Sequence, residues 1–174
     1  MQTEECIQED AVQKIISQWQ NQGFATDSLL AMETIGRIKR LEVILMRKLS
    51  ANYKINYQIS HWEFDVLATL RRAGTPYLMS PTVLFDSMMV SSGTMTNRLQ
   101  HLEKKELIER IDNPEDKRSL LVKLTPKGLE LIDRAVASHV QLENDLMSNM
   151  SEEELLILNL LLKKIENNLP IDYI

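Results

Sequence analysis

A single cysteine, Cys6, stands in a chain of 174 residues. An internal disulfide framework is excluded, and the chain reads as a protein of the reducing cytoplasm. Glycine and proline are scarce, at five each, a balance that favours helices. No apolar run approaches the ~20 residues needed to span a bilayer. The acidic N-terminus, MQTEECIQED, lacks the apolar stretch of a secretory leader. There is no Gly-rich phosphate loop, and His61, His101 and His139 lie far apart in sequence. Enzymatic chemistry, a metal site and a bound cofactor are therefore not expected. Cys6 has acidic neighbours, Glu4, Glu5 and Glu9, which disfavour its thiolate.

Hydrophobic residues make up 44% and charged residues 26%, ordinary values for a globular protein. The length suits one domain with a proper core or two small lobes. The net charge of -5 conceals a segregation. Residues 1–34 carry one cation against six acids, and residues 128–174 carry three against nine. Residues 35–127 carry 16 cations against ten acids. A basic middle between acidic ends suits a nucleic-acid binder with separate assembly elements. A solvated surface with uneven charge is the plainer alternative.

Apolar spacing predicts a first helix over about Ile7–Gln20, ended by Gly23, and a long second helix from Asp27-Ser28 to about Asn52. Ser60-His61-Trp62-Glu63 is a capping box for a third helix, ended by Gly74. Ser80-Pro81 starts a short fourth helix, and a fifth runs from about Ser92 to Lys105. Two strands follow, around Asp112–Ser119. Thr125-Pro126 opens a long helix to about Met147, and Ser151 caps the last, to about Asn168. The short central unit supplies its own core from Trp62, Val66, Leu70, Leu84, Met95, Leu99, Leu102, Leu107, Leu121 and Leu124. The last helix is apolar almost all round, which implies burial on several sides, and a helix-rich dimer interface is the simplest sink for it. The expected organisation is N-terminal helices over 1–52 that share in dimerisation, a small central lobe over 53–125, and C-terminal dimerisation helices over 126–174.

Short helix, break, second helix and hairpin form the pattern of a winged helix-turn-helix. The fold class expected is mainly α with a small β-hairpin. At 100° per residue, Met95, Leu99 and Leu102 face inward. Asn97, Gln100 and Lys104 lie opposite, with Thr94, Thr96 and His101 on the flanks. Asn and Gln can bridge adenine edges in the major groove, while Ser91 and Ser92 suit phosphate contact. In the hairpin turn, "DNPEDKRS", Lys117 and Arg118 are placed to reach the minor groove or its phosphates, with Asp116 orienting Arg118 or pairing with a nearby cation. A charged solvated turn is the alternative.

The segment Ser91–Gly128, "SSGTMTNRLQHLEKKELIERIDNPEDKRSLLVKLTPKG", resembles the MarR family of bacterial transcription regulators. The wing Asp-x-Arg matches Asp116-Lys117-Arg118, and a Leu-Thr-x-x-Gly run matches Leu124–Gly128. The likeness extends over about residues 29–168. Glu106 departs from it, since many members have Gly before the strand. The resemblance implies a homodimer joined by its terminal helices, a palindromic double-stranded operator, and release by a small ligand. The stretch "HWEFDVLATLRRAGTPYLMSPTVLF" with "SSGTMTNRL" is similar to the urate-responsive branch. That similarity implies a ligand site of Trp19, Asp65, Arg98 and Arg110. Arg98 falls about 60° from the core direction of its helix, so it should point along the protein and need a carboxylate or an anionic ligand. A plain ion pair of Asp65 with Arg98 or Arg72 is the alternative.

The reading is therefore a ligand-responsive, cytoplasmic DNA-binding regulator, a repressor released by a small aromatic anion such as urate. A winged-helix protein-interaction module and a redox-responsive regulator using Cys6 are the alternatives.

Overall fold

The computed structural model describes residues 10–88, 92–114, 116 and 119–169. Cys6, Ser91, Lys117 and Arg118 lie outside the described residues, as do the side chains of Ser92, Thr94 and Met95. The chain divides into two compact units, Met1–Lys48 and Leu49–Ile174.

In the first unit, α1 (Ala11–Asn21) is opened by Asp10. The Asp10 carboxylate accepts from the N–H of Val12 at 2.7 Å and of Gln13 at 2.9 Å, and the Gln13 side chain accepts the Asp10 N–H in return. This reciprocal cap satisfies donors that a helix start leaves unpaired. Val12 and Ile16 bury against Leu29 of α2 (Thr26–Tyr57). The approach is close because α2 carries Gly36, where a Cβ would stand 3.2 Å from a Val12 methyl. Arg37, one residue on, bridges Asp10 at 3.1 Å and Glu33 at 2.5 Å. Trp19 is 41% exposed and meets Phe24 edge-on at 5.3 Å. Leu30, Met32, Ile35, Leu41, Val43 and Ile44 of α2 are exposed in the single chain.

The last turns of α2 belong to the second unit, and they run past the expected end near Asn52. Packing overrides the local signal here. Tyr53 is wholly buried, the Tyr57 hydroxyl donates to the Arg134 carbonyl at 3.0 Å, and Asn52 donates to Ser138 at 3.1 Å. Then come α3 (His61–Arg72), β1 (Leu78–Met79), α4 (Pro81–Asp86) and α5 (Ser92–Lys104). The strands β2 (Ile108–Asp112) and β3 (Leu120–Leu124) follow, with α6 (Pro126–Leu146) and α7 (Glu152–Glu166) completing the order. The sheet order is β1-β3-β2, all antiparallel, with Ile108 opposite Leu124 and Leu78 opposite Lys123. Two residues are too few to show a period, which is why β1 is not legible in the sequence.

The core joins Val66, Leu67 and Leu70 of α3 to Leu84, Leu99, Leu102, Ile108, Val122, Leu124, Ile132 and Ala135. One core expectation is corrected. Leu121 is only partly buried, and Val122 is fully buried in its place. Side chains alternate along a strand, so the burial of Leu124 commits Val122 to the same face and turns Leu121 away. Trp62 packs against the core rather than within it. No residue of α7 is buried, and Leu156 and Leu160 are 59% and 69% exposed. Among the described residues no helix is long and apolar enough to cross a membrane.

The Leu124–Gly128 run is a corner where β3 enters α6. The Thr125 hydroxyl accepts the Gly128 N–H at 3.0 Å and donates to the Glu106 carbonyl at 2.7 Å, and the Thr125 N–H donates to the Leu107 carbonyl. A Cβ on Gly128 would lie 1.9 Å from the Leu107 oxygen, so only glycine fits. Glu106 meanwhile holds φ at 60°, in the left-handed region. Its carboxylate, 2.9 Å from Lys127, partly offsets that strain. The two positions should respond with opposite signs. Gly128→Ala should cost about 1–3 kcal/mol or more by overpacking. Glu106→Gly should be neutral or stabilising, by up to about 1 kcal/mol, because the relief of strain exceeds glycine's entropy cost. Urea unfolding of both variants checks the pair.

Candidate nucleic-acid interface and ligand cleft

The polar outer face of α5 is presented as its spacing requires. Leu99 and Leu102 are buried, while Thr96, Asn97, Gln100 and Lys104 are exposed. Arg98 is half-buried, its guanidinium 5.4 Å over the Trp62 ring. His101 meets the same indole edge-on at 5.5 Å. The hairpin beside α5 is closed by residues that the sequence reading did not single out. Asn113 donates from its backbone to the Ser119 carbonyl at 3.1 Å and from its side chain to the Ser119 hydroxyl at 3.0 Å. The Ser119 N–H and hydroxyl both donate to the Asp116 carbonyl. Asx- and Ser-type side chains that bond nearby backbone are the usual hairpin closers, so Asn113 and Ser119 were open to discovery in "DNPEDKRS".

A cleft of about 710 Å³ lies between α3, α6, the end of α4 and the last turns of α2. Tyr53, Phe64 and Val136 give it apolar walls, and His61, Asp65, Arg71, Arg72, Asp133 and His139 give it charge. Tyr53 stacks on Phe64 at 4.1 Å and on His61 at 5.8 Å. Burial, and then the Asp65 and Glu143 carboxylates, push the Tyr53 hydroxyl well above its ordinary value. It therefore keeps its proton, 2.7 Å from His139 Nδ1. His139 Nε2 lies 3.2 Å from the Glu143 carboxylate. Arg71 pairs with Asp133 at 2.5 Å, and Arg72 donates to the Ser87 carbonyl at 3.0 Å.

Of the four residues expected around a ligand, Asp65 lines this cleft. His61 Nε2 lies 3.3 Å from its carboxylate. Burial raises the Asp65 carboxyl above its ordinary range, and His61, Arg72, Arg98 and His139 offset only part of that. Arg98 is thus close enough to act on Asp65 through charge, though it lies on the Trp62 side. Arg110, on β2, is 3.5 Å from the Glu103 carboxylate, and its Nε and Nη2 are buried without a hydrogen bond. Neither arginine lines the cleft. Trp19 belongs to the first unit. Sequence separation hid the meeting of His61 with His139 in one cleft, and no local spacing would have revealed it. Among the described residues no group of His, Cys, Asp and Glu is arranged to hold a metal ion.

The polar-faced helix α5, the preceding α4 and the adjoining hairpin define a winged helix-turn-helix. A model of the MarR family matches residues 59–120. The HTH-type transcriptional regulator PecS of Dickeya dadantii (strain 3937) is 38% identical over 158 residues, covering 91% of this chain and 94% of that protein. The multiple antibiotic resistance protein MarR of Salmonella typhimurium is 37% identical over 119 residues, covering 68% and 81%. A mutant MarR from E. coli complexed with operator DNA superposes with a TM-score of 0.63 at 29% identity, covering 76% of this chain and 95% of that one. The chain belongs to the MarR family. It is a DNA-binding transcription regulator and not an enzyme.

Two carboxylates on one turn of α3 carry opposite pH signatures. Glu63 is 3% exposed. Burial would raise its carboxyl, but the hydrogen bond from Lys105, those from Ser60 and the Lys105 charge together hold it below its ordinary 4.5. A depressed folded value gives stability that is present above about pH 4.5 and is lost as pH falls through the folded value. Glu63→Gln should therefore destabilise at pH 7, with the difference from wild type shrinking on acidification. Asp65, raised instead, costs stability when ionised, so Asp65→Asn should be neutral or stabilising at pH 7. Thermal melts of both variants from pH 3 to pH 8 check the two signs.

Proposed function

We propose that this regulator is a homodimeric repressor, acting in the cytoplasm, whose grip on a palindromic operator is released by a small flat anion such as urate. The observation that carries the reading is the placement of α3. Its first turns present His61 and Asp65 to the cleft and Trp62 and Glu63 to α5. A ligand on one side can thereby bias the reading helix on the other. Thr96, Asn97, Gln100 and Lys104 meet the major groove on this reading, with Ser91, Ser92 and Thr94 at the helix start, and Lys117 and Arg118 on the wing supported by Asp116. The DNA-bound relative supports the operator role, since that protein is held with operator DNA. Dimerisation accounts for α7, whose leucines find no cover within one chain.

The ligand reading rests on charge. Arg98 acts on Asp65, and the Arg110 guanidinium has donors to spare. An anion bound beside Asp65 in the cleft, drawn by the field of these arginines, brings like charge to a carboxylate already disfavoured as an ion. That penalises the ligand-free placement of α5, and a coupling of roughly 1–3 kcal/mol suffices to release DNA. Calorimetric titration with urate, wild type beside Arg98→Ala, tests it. One binding event per protomer in the wild type and none in the variant is the expected result. Equal binding by both proteins would place the ligand elsewhere, and no binding by either would reduce Asp65 to a structural carboxylate.

A further inference from the structure

Most of α5 is read for what it turns outward, but its inner polar stripe is as specific. Arg98, His101 and Lys105 recur at three- and four-residue spacing on the side that faces α3. Arg98 lies over Trp62, while His101 and Lys105 converge on Glu63, which with Thr69 makes up the buried polar residues among those described. The two Glu63 oxygens divide their work. Oε2 accepts the Ser60 N–H at 2.7 Å and the Ser60 hydroxyl at 2.8 Å, which completes the cap of α3. Oε1 takes no part in the cap. It accepts from Lys105 Nζ at 2.5 Å and lies 3.2 Å from His101 Nε2. Lys105 also donates to the Gln58 carbonyl at 3.3 Å, where the chain turns between α2 and α3.

A capping box needs Glu or Gln at this position, and either will serve. A buried carboxylate is costly unless cations match it. The charge on Glu63 is therefore explained by Lys105 and not by the cap, with His101 Nε2 a further polar neighbour. Lys105 follows the end of α5, eight residues beyond Asn97, or about 12 Å along a helix. A helix held firmly at one end keeps its angle at the other.

We propose that Glu63 is a positioning residue for sequence readout. Through Lys105 and His101 it clamps the C-terminal end of α5 and sets the angle at which Asn97 and Gln100 meet base edges. This rests on α5 being the DNA-reading helix.

The clasp has an electrostatic signature that separates it from a simple charge effect. Removing a carboxylate near DNA should, by charge alone, tighten binding to every sequence. Removing a positioning residue should instead weaken binding to the preferred sequence and leave the rest alone. The measurement is fluorescence anisotropy with two duplexes at fixed salt. One is selected by the wild-type protein from a randomised pool, and the other is a scrambled duplex of the same length. Glu63→Gln retains a cap-competent amide, and its folding is checked by thermal melting. It should lose affinity for the selected duplex by about tenfold, the size of one forfeited base contact, with scrambled binding within about twofold of wild type. Lys105→Gln should lower the selected-to-scrambled ratio similarly, and the double variant should be no worse than either single one. An unchanged ratio in Glu63→Gln, or equal tightening on both duplexes, overturns the proposal. If Glu63→Gln does not fold, an unchanged ratio in Lys105→Gln overturns it as well. Asn97→Ala serves as the control. If it lowers the ratio while Glu63→Gln does not, the clasp is wrong and α5 still reads DNA. If neither lowers it, α5 is not the reader and the clasp falls with that assignment.

Discussion

A carboxylate held out of water must be met by hydrogen bonds and opposite charge, and Glu63 draws both from two segments of the chain. Ser60 comes from the start of α3, Lys105 and His101 from the end of α5, and Lys105 ties in the Gln58 turn. The lobe's leucines and valines supply most of its cohesion, but such packing is non-directional. Directional bonds fix which way α5 points. On the reading proposed here, the angle of a recognition helix is part of its specificity, so a multiply bonded buried carboxylate, the only buried one among the described residues, sits where an angular error would matter most.

The second constraint is that α3 has two working faces. Trp62 and Glu63 turn toward α5, while His61 and Asp65 turn toward the cleft. Adjacent residues on a helix point about 100° apart, so one turn serves both sides without an intermediary. The two carboxylates are opposites in kind. Glu63 is stabilised as an ion and Asp65 is not. A group kept in an unfavourable charge state is responsive, because any change in its neighbours moves it. The proposed division has Glu63 as the fixed joint and Asp65 as the group that a ligand acts upon.

Much of this organisation was legible in the sequence because the signals were local. Ser60 with Glu63, Ser80 with Pro81, Thr125 with Pro126 and Ser151 with Glu154 each mark a helix start, and each is found there. The exposed faces of Asn97, Gln100 and Lys104 followed from helical spacing alone. What was not legible depended on tertiary packing. The strand β1 is too short for a pattern and exists through pairing with β3. The parity of Val122 over Leu121 is set by the sheet's inner face. The extra turn of α2 depends on Tyr53 and Tyr57 finding a place against α6. His61, Tyr53 and His139 meet from three helices. Even the departure at Glu106 becomes intelligible only when Lys127 and Thr125 are seen holding it.

If a cleft ligand and DNA compete through α5, each must weaken the other in equal measure. If urate weakens binding to the selected duplex by some factor, saturating duplex must weaken urate binding by the same factor. Urate affinity should therefore be measured by calorimetry on the free protein and on the preformed DNA complex. The account predicts weaker urate binding in the complex, by roughly 5–150-fold, matched to the urate-induced loss of DNA affinity. Identical urate affinity with and without DNA would contradict it.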